Sequence, residues 1–193
     1  MKQFLLLPAF FLVSAISLSA QPRSLSQESP RAVVEALVKM EINGSLFTVQ
    51  GRQQAIPLFA HARPSLSEGS ATVVGDVYSV RELWTRGNHA EVLVTYKDFG
   101  AIDSSLRYSA RGVLFQKLVV RYDLILKGEG TGGKGSGQET STPQWRIEMP
   151  GRNICVGLNA AIAHVRVARD KTSDPVVKKN AEMTLVQLKR FQP

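Results

Sequence analysis

The stretch GEGTGGKGS at residues 128–136 is the strongest chemical motif in the sequence. It begins with a match to G-x-G-x-x-G, and Lys134 brings it close to G-x-x-x-x-G-K-[ST]. A phosphate-binding loop runs from a strand into a helix, because the helix N-terminus and consecutive backbone N–H groups hold the phosphates. Here Gly135 replaces the Ser or Thr that would bind magnesium, and Pro143 and a strand pattern follow where a helix should begin. The stretch therefore predicts a flexible linker between two strands and no nucleotide cofactor.

Metal-binding and nucleophilic side chains are thinly spread. His61, His89 and His164 fall in three different predicted elements, without the paired spacing of zinc ligands. The single cysteine, Cys155, has apolar neighbours on both sides, which is typical of a buried thiol. The serines form no G-x-S-x-G pattern. These residues predict no metal site and no hydrolase of the serine or cysteine type.

Carboxylates of the strand-rich region are the candidates for acid–base chemistry. Asp123 alternates with apolar residues, so it should point outward, whereas Asp98 precedes Phe-Gly like a turn residue and Asp76 fits either environment. Asp76 or Asp98 is thus the candidate general base of an isomerase, dehydratase or cyclase. Such an enzyme needs this carboxylate inside an apolar pocket, within hydrogen-bond reach of a Tyr or Trp side chain.

The start of the chain has the anatomy of a secretory signal peptide. Lys2 precedes an apolar core at Phe4–Ile16, and a run of small residues ends at Ala20. The apolar core is shorter than the roughly 20 residues that a membrane-spanning helix needs. We therefore expect cleavage near Ala20, export to the periplasm or the medium, and no transmembrane segment in the mature chain.

Hydrophobic periodicity predicts helices at both ends of the chain and strands between them. Ser29 and Pro30 should begin the first helix, and a shorter helix is expected over Arg52–Ala60. Residues 71–149 alternate apolar and polar side chains in several runs. The predicted fold class is α+β: a curved antiparallel sheet of about four to six strands, covered by N-terminal helices, plus two C-terminal helices, the second capped by Asp174.

The composition divides the chain into four segments. They are a signal peptide at 1–20, a flexible lead-in at 21–29, an α+β domain at 30–149 with a Gly-rich flexible loop at 128–143, and a C-terminal helical hairpin at 150–193. Residues 152–190 hold eight Lys or Arg against three acidic residues. This excess of positive charge indicates either a solvent-exposed face of the helical hairpin or a patch that binds an anionic surface or partner.

The order of elements resembles the nuclear transport factor 2-like superfamily, the cone-shaped α+β fold of SnoaL-like cyclases and ketosteroid isomerases. The resemblance covers residues 30–149 and depends on a second helix ending in PLFA and on the strands VVRYDLILKG and WRIEM. It implies helices over a concave sheet that encloses an apolar pocket. Four aromatic residues are candidates either for the core or for binding a ligand in that pocket: Trp84, Tyr96, Tyr122 and Trp145.

Three functions remain open. Enzymes of the superfamily place acids and tyrosines in the pocket, but the opening helix offers only Glu35 and Glu41 and no tyrosine, so no catalytic residue is assigned. The first hypothesis is a non-catalytic exported domain, monomer or homodimer, that binds a small apolar ligand or a partner protein in the concave sheet. The second is the isomerase-type enzyme, and the third is an envelope-binding module acting through the basic tail. No nucleic-acid partner, metal or cofactor is expected.

Overall fold

The computed structural model describes residues 29–61, 66–111, 116–128, 143–148 and 152–192. The predicted signal peptide and most of the predicted Gly-rich loop lie outside these residues. The elements in chain order are α1 (Pro30–Ile42), α2 (Val49–Ala55), β1 (Leu66–Arg86), β2 (His89–Asp103), β3 (Tyr108–Ser109), β4 (Gln116–Lys127), β5 (Gln144–Glu148), β6 (Arg152–Gly157), α3 (Leu158–Lys171) and α4 (Pro175–Lys189), with 3-10 turns at Ser45–Phe47 and Ile56–Leu58.

Local capping chemistry sets the ends of the helices. The Ser29 hydroxyl accepts a hydrogen bond from the Ala32 N–H at 3.1 Å, and Pro30 opens α1 as predicted. Asp174 caps α4 in the same way, accepting from the Val176 N–H at 2.7 Å. The second helix begins earlier than expected, because the Thr48 side chain caps it by accepting from the N–H of Gly51.

The sheet is curled into a half-barrel, and the fold class is α+β. The strand order is β5-β4-β2-β1-β6, with the short β3 paired to the end of β2. All neighbours are antiparallel except β6, which runs parallel to β1 and makes the sheet mixed. Strand β6 is absent from the sequence prediction, which assigns its residues to the helical hairpin at 150–193 and expects a purely antiparallel sheet. Its run Ile154–Val156 is buried, as is usual for a parallel strand covered on both faces.

Each face of the sheet carries its own hydrophobic core. Ala90, Val92, Val94 and Tyr96 alternate along β2 and belong to the core beneath α1. Val73 and Phe99 belong to the second core, which includes residues of α3 and α4. Helix α1 therefore covers one face of the sheet, and the α3–α4 pair covers the other face.

A close contact joins the end of α1 to the start of α3. Gly157 is the last residue of β6 and the N-cap of α3. A β-carbon at Gly157 would lie 2.4 Å from the Ile42 carbonyl oxygen and 2.5 Å from Asp76 Oδ1. A side chain there would displace backbone, so only glycine lets these elements approach so closely.

The first prediction concerns Trp145, which is 7% exposed in the core beneath α1. We expect Trp145→Ala to lower the free energy of unfolding by about 3–5 kcal/mol, as for other buried aromatic residues. Chemical denaturation measures the loss, with Trp84→Phe as the background so that one indole reports unfolding. A variant that unfolds at nearly the same denaturant concentration would show that this side chain lines a cavity instead of filling the core.

The second prediction concerns His164 of α3, whose ring stacks on Phe47 with centroids 4.2 Å apart. Burial lowers the pKa of His164 below its ordinary value of 6.5. As the pH falls below 6.5, His164 is protonated in the unfolded chain but stays neutral in the folded chain. The free energy of unfolding therefore decreases as the pH falls from 6.5 toward the lower pKa of the folded state.

His164→Phe keeps the stacked ring and removes the titration. Its melting temperature should fall less than that of the unmodified protein between about pH 7.5 and pH 5.5. His89→Gln removes an imidazole at an exposed position and is the matched control against which His164→Phe is compared. Equal pH dependence of His164→Phe and the unmodified protein would contradict the role of His164.

Candidate functional site

A carboxylate and two phenols meet inside the core beneath α1. Both tyrosine hydroxyls donate toward Glu41 Oε2, that of Tyr96 at 3.1 Å and that of Tyr122 at 3.4 Å. All three residues are buried, with exposed fractions of 2% or less. We call these three residues the Glu41 cluster.

The two tyrosines reach the cluster from neighbouring strands. Tyr122 on β4 pairs with Val92, four residues before Tyr96 on β2, so the two side chains start about 13 Å apart along the strands. Both point to the face covered by α1, because residues at even spacing share one face. The long phenol side chains bridge this separation and place both hydroxyls at one oxygen atom.

Glu41 occupies a core position of α1. It lies seven residues after Val34 and three after Val38, so it continues the buried apolar stripe of the helix. This interrupted stripe was the one signal in the sequence that could have identified Glu41. A buried carboxylate loses its hydration, and hydrogen-bond donors such as the tyrosine hydroxyls offset only part of that cost.

Beside the cluster, two rows of apolar side chains cross β1, β2 and β4. One row is Tyr78, Tyr96 and Leu118, and the next is Val80, Val94 and Val120. The middle residue of each row is buried, but the outer four are only partly buried. We call Tyr78, Val80, Leu118 and Val120 the concave rim. The Tyr78 and Tyr96 rings lie 6.3 Å apart, so Tyr96 connects the rim to Glu41.

The four aromatic candidates do not lie together. Tyr96 and Tyr122 join in the Glu41 cluster, and Trp145 lies in the same hydrophobic core. Trp84 is 40% exposed on the opposite face of the sheet, where its indole N–H donates to Glu91 at 3.0 Å. The register shift between Glu82 and Trp84 explains this placement, because it interrupts the alternation along β1 and turns Trp84 to the other face.

The candidate bases Asp76 and Asp98 have other partners. Exposed Asp76 accepts a hydrogen bond from the Asn159 amide at 2.7 Å. Asp98 is buried in β2, not placed in a turn, and its carboxylate accepts from the Gly100 N–H at 2.9 Å and pairs with Arg111 at 3.3 Å. Asp123 is exposed, as its alternation predicted.

Asp98 also acts on a tyrosine of the second core. Burial, and then the negative charge of Asp98, raise the pKa of Tyr108 above 10.0. The Tyr108 hydroxyl donates to the Phe99 carbonyl oxygen, and its backbone N–H donates to Thr184 of α4 at 3.0 Å. The bond to Thr184 attaches α4 to β3, and the bond to Phe99 joins β3 to β2.

No group of three or more His, Cys, Asp and Glu side chains within the described ranges is arranged to hold a metal ion. Among the helices in those ranges, none combines the length and apolar character needed to cross a bilayer. Searches against protein-family models, curated proteins and solved structures found no match to this chain.

The third prediction concerns the contribution of the Glu41 cluster to the free energy of unfolding. Tyr96→Phe removes the shorter hydrogen bond to Glu41 and should cost about 1–3 kcal/mol of stability. Tyr122→Phe, which removes the longer bond, is the matched control and should cost less.

Replacing the whole cluster should restore stability. Glu41→Leu combined with Tyr96→Phe and Tyr122→Phe removes the buried carboxylate together with both hydroxyls that donate to it, so this triple variant should equal or exceed Tyr96→Phe in stability. Denaturant unfolding measures all three proteins. A triple variant less stable than either single variant would mean that the fold itself requires the polar cluster.

Proposed function

We propose that the protein binds a small, largely apolar ligand in the concave face of its sheet, with the ligand's polar end at the Glu41 cluster. The observation that carries this proposal is the meeting of one buried carboxylate and two tyrosine hydroxyls beside the partly exposed concave rim. Export across a membrane and a nuclear transport factor 2-like origin are parts of the same proposal. A curled sheet beneath N-terminal helices agrees with what that resemblance implies.

The chemistry of the two parts defines the ligand. The concave rim presents three aliphatic side chains and one phenol, which favour a flat or branched apolar body. The inner end presents a carboxylate and two hydroxyls, which fit a hydroxyl, amide or amine that donates to Glu41. A ligand with both features would bury apolar surface and satisfy its polar group in one orientation.

An isomerase-type enzyme is the second candidate. Glu41, which lies in hydrogen-bond reach of two tyrosines, takes the place of Asp76 and Asp98 as the candidate base. A carboxylate that removes a proton beside a carbonyl group needs donors for the developing oxyanion, and tyrosine hydroxyls supply such donors in other sites. Both hydroxyls donate to Glu41, so in this candidate at least one of them turns from the carboxylate to the substrate oxygen when the substrate binds.

The fourth prediction tests the ligand site with neighbouring positions on opposite faces of β4. Val120→Trp fills the concave rim and should reduce binding of the neutral apolar dye Nile red at least about tenfold. Val119→Trp is the matched control, because Val119 is 55% exposed and lies on the other face. Dye fluorescence titrations measure both. Equal loss in the two variants, or no dye binding by the unmodified protein, would count against the concave site.

Glu41→Gln distinguishes the two candidates. A binding protein should keep dye affinity in this variant within a few fold, since the rim is unchanged. An enzyme should lose its ability to exchange protons of apolar ketones in heavy water, as measured by mass spectrometry. Absence of exchange by the unmodified protein would eliminate the isomerase candidate for that class of ketone.

A further inference from the structure

The outward face of α4 carries apolar and basic side chains in one stripe. Val176, Lys179, Met183, Val186 and Arg190 are spaced so that they share one side of a helix. Val176, Met183 and Val186 are 65%, 48% and 58% exposed, and both cations are exposed. The opposite side of α4 is buried in the second core through Ala181, Leu185 and Leu188. We call the exposed residues the α4 stripe.

Three exposed apolar side chains on one helix face need an explanation that packing within the described residues does not supply. The stripe extends about 15 Å from Val176 to Val186 along a straight helix. It is narrow, and the acidic residue nearest to it, Glu182, lies at its edge, about 40° around the helix from Val186. A stripe of exposed apolar and basic side chains is typical of a helix that lies on a lipid surface.

We propose that the α4 stripe docks this protein on an anionic lipid bilayer, with the axis of α4 parallel to the surface. Charge complementarity supports lipid as the occupant. Lys179 and Arg190 lie within the stripe, Lys178 and Lys189 lie farther around the same helix, beyond Glu182, and the chain carries a formal net charge of +8. Acidic headgroups attract such a cluster, while the three apolar side chains enter the boundary between headgroups and acyl chains.

A second copy of the chain fits the stripe less well. In a two-fold symmetric contact, each stripe would meet the same stripe of its partner. The Lys179 and Arg190 side chains of both copies would then share one interface, in which Glu182 at the edge of each stripe is the only acidic side chain of α4, and an excess of like charge disfavours association. Docking on lipid is independent of the proposed ligand site, because the stripe and the Glu41 cluster belong to different faces of the sheet.

The fifth prediction uses a fluorophore that reports contact at one position of the full chain. Met183→Cys labelled with the dye NBD should gain at least about threefold in emission with vesicles of phosphatidylglycerol and phosphatidylcholine. The gain should largely disappear in about 0.5 M salt and with pure phosphatidylcholine. Cys155 is 1% exposed and escapes the label. Val119→Cys, labelled in the same way, is the control for contact through any other segment.

Charge reversal tests the electrostatic part. Lys179→Glu with Arg190→Glu should weaken vesicle binding at least about tenfold. Arg81→Glu with Lys117→Glu makes the same change in net charge at exposed positions outside α4 and should have a much smaller effect. Equal weakening by the two pairs would overturn the proposal, as would equal responses of the two labels. A Met183 label that responds to protein concentration but not to vesicles would overturn it in favour of an interface between copies.

Discussion

The buried carboxylate of Glu41 is the constraint around which the core beneath α1 is arranged. A carboxylate in this position loses its hydration, and the hydroxyls of Tyr96 and Tyr122 stand in for part of the water. To bring these two hydroxyls to Glu41, β2 and β4 must each present a tyrosine to the same face of the sheet, and α1 must lie over that face. An apolar residue at position 41 would need neither tyrosine hydroxyl, so the carboxylate sets the arrangement of both strands around it.

The sheet separates this polar centre from the rest of the molecule. Its concave face holds the Glu41 cluster and the partly buried concave rim. Its other face is covered near Val73 and Phe99 by the α3–α4 pair, and it is open near Trp84. Because residues alternate along each strand, neighbouring positions such as Val119 and Val120 belong to different environments. The two faces therefore present different sets of side chains.

Local features of this fold were predictable from the sequence, and pairings between distant segments were not. The caps at Ser29 and Asp174 depend on residues three positions away or less, and the alternation along β2 is visible without its neighbours. The partners of Glu41, in contrast, are 55 and 81 residues away. Nothing near residues 152–157 indicates that they pair in parallel with β1. The sequence named Tyr96 and Tyr122 as candidates because they lie on alternating strand faces, and it assigned no role to Glu41 because the partners of its carboxylate are distant.

The contact between Gly157 and Ile42 also has an electrostatic consequence. The C-terminal end of a helix carries a partial negative charge and the N-terminal end a partial positive charge. Because Gly157 is the N-cap of α3 and Ile42 ends α1, the positive end of one helix lies against the negative end of the other. The two opposite partial charges attract, so the helix dipoles favour the close approach that Gly157 permits. A residue with no side chain thereby lets two helix ends of opposite polarity meet.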